Sequence, residues 1–232
     1  MFEPSRSDML AKLLPVSDHV TDLSLSSHPP RSPARPMLQP LMTIEEFLDK
    51  RPDLPESGQW TELRDGAPVS FDPPGVDHGT VILNLSKLLS EYVHQSDQGY
   101  AAFDVGVVLQ RSPDFVVFPS VSYFLEGPRF AESDNAVATR PPAFVVEILS
   151  TPDRQREFAA RAGRYLEAGI PLVWGIVPTN QTVDVLTQTG PARRALRTDH
   201  LTAAPVLPEF GVAVASLFVE PDWYSRPAPR KE

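Results

Sequence analysis

The clearest periodicity in the chain begins at Asp77, where Val81, Leu85, Leu88 and Tyr92, with Ile82, Leu89 and Val93, recur at intervals of three and four. That spacing lays one wide apolar stripe along a helix. A shorter helix is predicted upstream: Thr43-Ile44-Glu45-Glu46 sets a hydroxyl and a carboxylate three residues apart ahead of Phe47 and Leu48, the pattern of a reciprocal N-terminal cap. Between these helices, Trp60-Thr61-Glu62-Leu63-Arg64 and Ala67-Pro68-Val69-Ser70-Phe71 flank Asp65-Gly66, a dipeptide suited to a tight hairpin turn. Pro68 must then sit where the ladder needs no donor. A third helix is predicted from the N-cap and early-proline signals of Ser150-Thr151-Pro152-Asp153 through Glu167, with Gly169 closing it.

Apolar runs of strand length fall at 100–109, 114–118, 143–149, 172–177 and 182–186, the last two joined by a turn at 178–181. Residues 119–142 read as a polar loop long enough to carry function. The succession of helices and strands predicts an α/β fold at the border of α+β, with a mixed central sheet flanked by helices. A chain of 232 residues, 41% of them apolar, suffices for one well-packed domain, expected at 41–220. Residues 1–40 hold seven Pro and seven Ser, so a flexible extension is expected there, with 9–14 as a marginal helical turn. Residues 221–232 are read as a C-terminal tail.

Composition narrows the chemistry. With no cysteine, disulfides, thiolate metal ligands and a cysteine nucleophile are excluded. A net charge of −9 argues against nonspecific coating of nucleic acid, yet leaves room for a local basic groove. No apolar run approaches the roughly 18–20 residues that cross a bilayer, and 1–40 lacks the pattern of a secretion signal, so the expected location is cytoplasmic.

Two acids stand where acids are costly. Asp114 opens the run Pro113-Asp114-Phe115-Val116-Val117-Phe118, and Glu147 interrupts Phe144-Val145-Val146-Glu147-Ile148-Leu149. A carboxylate in a buried strand must be paired, hydrogen-bonded or bound to a cation, and two of them suggest a shared metal site. Simpler readings stand beside this one. Asp114 after Ser112-Pro113 could satisfy a turn, and Glu147 could form an ion pair with Arg161 or Arg154. Glu62, in a hairpin with one wet face, could be a solvated acid, and His78, just after a helix start, a capping or surface histidine. The arginines at 140, 154, 156, 161 and 164 could form a phosphate-tracking face or a solvated helix surface. No Gly-x-Ser-x-Gly elbow, His-Glu-x-x-His helix or Gly-Lys-Ser/Thr phosphate loop is present.

Trp60-Thr61-Glu62-Leu63-Arg64-Asp65-Gly66, His78, Ser112-Pro113-Asp114, Val146-Glu147-Ile148-Leu149-Ser150 and the segment from Tyr165 to Trp174 resemble, in order and spacing, the Uma-type restriction endonuclease family of the PD-(D/E)XK nuclease superfamily. The resemblance implies a restriction-endonuclease-like fold and a phosphodiester-cleaving, metal-dependent endonuclease acting on DNA. It implies Asp114 and Glu147 as ligands of Mg²⁺ or Mn²⁺, with the carbonyl of Ile148 as a third and Glu62 in support. Arg154, Arg164 and Arg140 would bind substrate, and His78 would orient water or touch a phosphate. Two departures stand out: Leu149 occupies the position two after the strand glutamate where the superfamily often has lysine, and Arg161 falls where the family places its helix lysine. Arginine keeps the charge but cannot relay a proton. Its helical neighbours three and four residues away are Phe158 and Tyr165, which turns it inward. The alternative is a catalytically impaired nuclease-fold module that binds nucleic acid or a protein partner. Trp223 and Tyr224 after Pro221 point to docking on a second subunit, as in a homodimer, or else to closing of a sheet edge.

Overall fold

A computed structural model describes residues 41–127, 136–138 and 140–221; the extension at 1–40, its helical turn at 9–14, and Trp223 and Tyr224 lie outside them. The reciprocal cap forms as expected. Thr43 Oγ1 accepts from Glu46 N at 3.2 Å, and Glu46 Oε2 accepts from Thr43 N at 3.0 Å, opening helix α1 (Ile44–Lys50). The chain then enters the hairpin of β1 (Thr61–Arg64) and β2 (Ala67–Ser70). Asp65 and Gly66 both take positive φ, 47° and 78°, which matches the twist of the two strands across a two-residue turn. Pro68 is tolerated because β2 lies at the edge of its sheet.

Helix α2 (Val76–Ser96) buries Val81, Leu85, Leu89 and Tyr92 along its predicted stripe. The run at 100–109 is not one strand. It divides into β3 (Tyr100–Ala102) and β4 (Val107–Gln110), which belong to different sheets, with Asp104 at φ 50° in the break between them. Strand β5 (Phe115–Val117) follows. The region read as a polar loop contains a fully buried strand, β6 (Val121–Phe124), which pairs antiparallel with β7 (Phe144–Ile148). Helix α3 (Pro152–Glu167) leads to β8 (Leu172–Val177), which runs parallel to β7, and to the antiparallel β9 (Thr182–Thr187). Gly169, at φ 91°, ends the turn beyond α3 in the left-handed conformation expected of a closing glycine. Three strands of three residues each follow, β10 (Arg193–Ala195), β11 (His200–Thr202) and β12 (Gly211–Ala213), the last two pairing as a separate two-stranded sheet, and a 3-10 helix at Val214–Phe218 comes after them.

The larger sheet has the order β10-β9-β8-β7-β6-β3 and the smaller β2-β1-β5-β4. Alternation along β7 and β8 decides what each face meets. Val146, Ile148, Trp174 and Ile176 pack with Leu85 and Leu89 of α2. Val145, Leu149, Val173 and Val177 pack with Phe158, Ala162 and Tyr165 of α3 and with Phe115 and Val117 of the smaller sheet. Full burial of such a side chain contributes about 1.5–3 kcal/mol. Among the described residues these are mixed sheets with three α-helices, an α+β arrangement, and no helix is long and apolar enough to cross a membrane.

Candidate functional site

Glu147 points from β7 to the α3 side of the larger sheet, in phase with Val145 and Leu149. Glu62 lies in β1 of the smaller sheet and is only 4% exposed. The reading of Glu62 as a solvated hairpin acid therefore does not hold: α1 covers the Leu63 face of β1 through Ile44 and Phe47, and the opposite face, which carries Glu62, is covered by α3.

Arg161 of α3 joins the two acids. Its Nε donates to Glu147 Oε1 at 2.6 Å, while Nη1 and Nη2 donate to the two oxygens of Glu62. The planar fork matches a carboxylate edge-on, a geometry that lysine cannot reproduce. Tyr165, one turn along α3, donates its hydroxyl to the same Glu147 oxygen and lies 3.2 Å from Arg161 Nε. Glu62 also accepts from the Phe118 amide at 3.2 Å and from Arg64 at 3.3 and 3.4 Å. Arg64 in turn donates to Glu157 at 2.7 Å.

The side chains of Arg161, Glu62 and Glu147 are 10%, 6% and 2% exposed. Burial alone would raise the pKa of Glu62, but the Arg161 and Arg64 charges and the Phe118 amide outweigh it and hold the carboxyl below its ordinary value. Burial would lower the Arg161 pKa, and Glu147 and Glu62 reverse that, so it stands well above its ordinary value. The Tyr165 phenol is pushed up, first by burial and then by the neighbouring carboxylates.

Asp114 is elsewhere. Strand β5 pairs with β1 and β4 in the smaller sheet, so Asp114 and Glu147 do not come from neighbouring strands. Along β1 the Asp114 end of β5 meets the hairpin turn, where Gly66 N donates to Asp114 O at 2.8 Å, whereas Glu62 meets Phe118 at the other end. The Asp114 carboxylate accepts from Ile44 N at 2.8 Å, from Ser112 N at 3.1 Å and from Arg111 at 3.4 Å. It caps α1 and ties the Ser112 turn, the simpler of its two sequence readings. Burial would raise its pKa, but these amides and the Arg111 charge lower it. The strands that do adjoin β7 are β8 and β6, and the residue before β6 is Ser120, whose Oγ accepts from Ile148 N at 3.3 Å. The Ile148 side chain points to the α2 face.

Beside Glu62 a small pocket is lined by His78, Asp104, Ser120 and Arg154, with Phe71 and Phe118 as apolar walls. Arg154 Nε and His78 Nδ1 are buried there without a hydrogen-bond partner. Burial, and then the Arg154 charge, lower the His78 pKa to about 4, so the ring is neutral near pH 7. Asp104 keeps solvent access, yet protein packed around its carboxyl raises its pKa; Arg154 and Arg51 oppose the shift and Glu147 adds to it. On the outer side of Arg161 a second groove runs past Arg64, Phe115 and Arg164. Arg164 stacks 4.5 Å from the Phe115 ring and reaches Asp65 at 3.4 Å. Arg156 is exposed, and Arg140 lies by Gly127 beyond β6, outside the lining of both concavities.

Sequence reasoning missed Arg64, Asp104 and Ser120. Alternation could have found Arg64, two residues from Glu62 on the same strand face. Nothing local marks Asp104 or Ser120, because their role follows from which apolar run adjoins β7.

The resemblance to a metal-dependent nuclease implies a divalent cation at the acids Asp114, Glu147 and Glu62. Oxygen-liganded Mg²⁺ or Mn²⁺ needs several hard donors free to face it. Here both oxygens of Glu62 and one of Glu147 accept from guanidinium, and Asp114 is committed to α1. Among the described residues no group of three or more His, Cys, Asp or Glu side chains could hold a metal ion. The residues as arranged do not fit the ion.

Fold and site together define an α+β domain of mixed sheets and three α-helices, with a buried acid pair from two sheets bridged by a helix arginine. The chain belongs to the Uma2 family of putative restriction endonucleases, whose family model matches residues 44–215. That membership supports a nuclease-type function. The fold is shared with the crystal structure of a putative nuclease belonging to DUF820 from Anabaena variabilis ATCC 29413, at a TM-score of 0.63 and 20% sequence identity, over 76% of this chain and 97% of that one. No curated protein matches the chain.

Proposed function

We propose that this chain is a nuclease-type protein that receives the backbone of a nucleic acid, DNA in the first instance, at the cleft between the β1–β2 hairpin and the start of α3. One observation carries this reading. Arg64 and Arg161 are spent on carboxylates, whereas Arg154, in the pocket beside Glu62, has a buried Nε with no partner. A buried guanidinium N–H without an acceptor is costly, and a phosphate oxygen would satisfy it. The neutral His78 beside it, with Nδ1 also unpartnered, adds a group that can hydrogen-bond without repelling the arginine.

Fluorescence anisotropy with labelled duplex DNA, single-stranded DNA and RNA tests the proposal. Arg154→Ala should weaken binding across sequences and reduce the slope of log affinity against log salt by about one, the signature of one lost phosphate contact. Equal affinity and equal slope in wild type and Arg154→Ala would remove the cleft as the binding site. Absence of binding to all three probes would remove nucleic acid as the ligand.

A further inference from the structure

We infer that Arg161 is the resident cation of this site: its guanidinium occupies the seat between Glu62 and Glu147, so the native chain takes no divalent ion there and leaves a bound phosphodiester uncut. The second half of that statement rests on the nucleic-acid reading above; the first does not.

The argument is geometric. Two carboxylates from two different sheets converge on one guanidinium, which meets them with all three of its nitrogens. A cation is needed at that point, because neither acid could remain ionised and buried without one. The cation present is covalently part of α3. Its Nε side is fixed by Glu147 and Tyr165, its fork by Glu62, and its side chain is only 10% exposed. Charge is also close to balanced. Glu62, Glu147 and Glu157 supply three negative charges and Arg161 and Arg64 two positive ones, so a divalent ion would overshoot the single negative charge that remains. An amine could vacate such a seat by giving up its proton, but a guanidinium stays charged at any pH at which the protein is folded. For the same reason Arg161 cannot accept a proton from water, so the seat between the two acids offers neither a metal-bound nucleophile nor a base.

Calorimetric titration of the full-length chain with Mn²⁺ and Mg²⁺ tests this. No saturable binding is expected through roughly 10 mM, above the range of weak dedicated oxygen-ligand sites. Saturable binding by the wild type that Glu147→Gln abolishes would overturn the proposal, as would metal-dependent DNA cleavage that Glu147→Gln abolishes. A second arm uses Arg161→Lys, which frees the fork but keeps a charge. Mn²⁺ at ten times its dissociation constant should raise the melting temperature of this variant by roughly 4 °C and leave the wild type unmoved. A folded Arg161→Lys that Mn²⁺ does not stabilise would show that the two acids are no cation seat, and the idea fails; if the variant does not fold, the wild-type titration decides alone. DNA anisotropy run alongside, in EDTA and in Mn²⁺, should give one affinity for the wild type. Loss of all DNA binding there would end the nucleic-acid reading while the titration still judged Arg161.

Discussion

Arg161 donates from Nε, Nη1 and Nη2 to two carboxylates that are themselves buried, so each member of the trio depends on the other two for its charge. Removing one member of such a cluster is costly because it strands the rest, whereas replacing all of them by neutral groups of similar size is often tolerated. Arg161→Met should therefore cost about 3–5 kcal/mol in urea denaturation. The triple variant Glu62→Gln, Arg161→Met, Glu147→Gln should recover most of that loss. A triple variant as unstable as the single one would mean that packing around Arg161, and not its charge, holds the cluster. At this scale the sequence showed part of the site: the inward turn of Arg161 follows from helical spacing, and the cost of an acid among apolar residues marked Glu147 as needing a partner, with Arg161 and Arg154 both open to it. Asp114 carried the same costly-acid signal for a different reason, since its acceptor role at Ile44 N depends on a contact seventy residues distant. A buried acid announces that it has a partner but not which one.

The position of Arg161 over Glu147 depends on how α3 lies on the larger sheet, and β8 sets that distance with a missing side chain. Gly175 is the register partner of Glu147 in the parallel pair β7/β8, and a Cβ there would stand 2.3 Å from Phe158 Cζ. Glycine is used at this point for close approach. Gly175→Ala should force Phe158 off its rotamer or lift α3, costing about 1–3 kcal/mol in urea denaturation. Combining it with Phe158→Leu should relieve part of the cost, and a Gly175→Ala variant as stable as wild type would show that α3 has slack. The elements themselves were read well wherever a stripe, a cap or a turn dipeptide was long enough to register, as in α1, α2, α3 and the β1–β2 hairpin. Strand β6 was missed because it has four residues, follows Pro119-Ser120 and carries Ser122 fully buried among apolar neighbours, so no alternation marks it. The run at 100–109 hid its break for the opposite reason: apolar residues stand on both sides of Asp104, and only the change of sheet reveals two strands. Strands β10, β11 and β12 are three residues each, too short for any period to show.

Across the whole molecule, the Glu62–Arg161–Glu147 cluster is also a joint between two sheets of unequal strength. The larger sheet has six strands, with α2 on one face and α3 on the other. The smaller has four strands of three or four residues and is held to the rest by Val107, Phe115 and Val117 packing against α3 and β8, and by the ion cluster. Short strands with few covering contacts open at lower free energy than a central sheet, and a cross-link between the two raises the cost of opening the weaker one. Breaking the cluster should therefore release the smaller sheet first. In Arg161→Met, native-state hydrogen exchange should accelerate at the amides of β1 and β5, and at the Phe118 amide just beyond β5 that donates to Glu62, by a larger factor than at β7 and β8. Arg194→Ala, which removes an exposed pair with Asp184 at the β10 edge of the larger sheet, is the control and should leave both groups nearly unchanged. Equal acceleration in the two sheets would mean that they open as one unit and that the cluster stabilises the fold as a whole. Selective acceleration at β1 and β5 would mean that Arg161, paired behind the cleft, fixes the hairpin wall against which a nucleic acid would lie, while Arg154 supplies the positive charge that faces it.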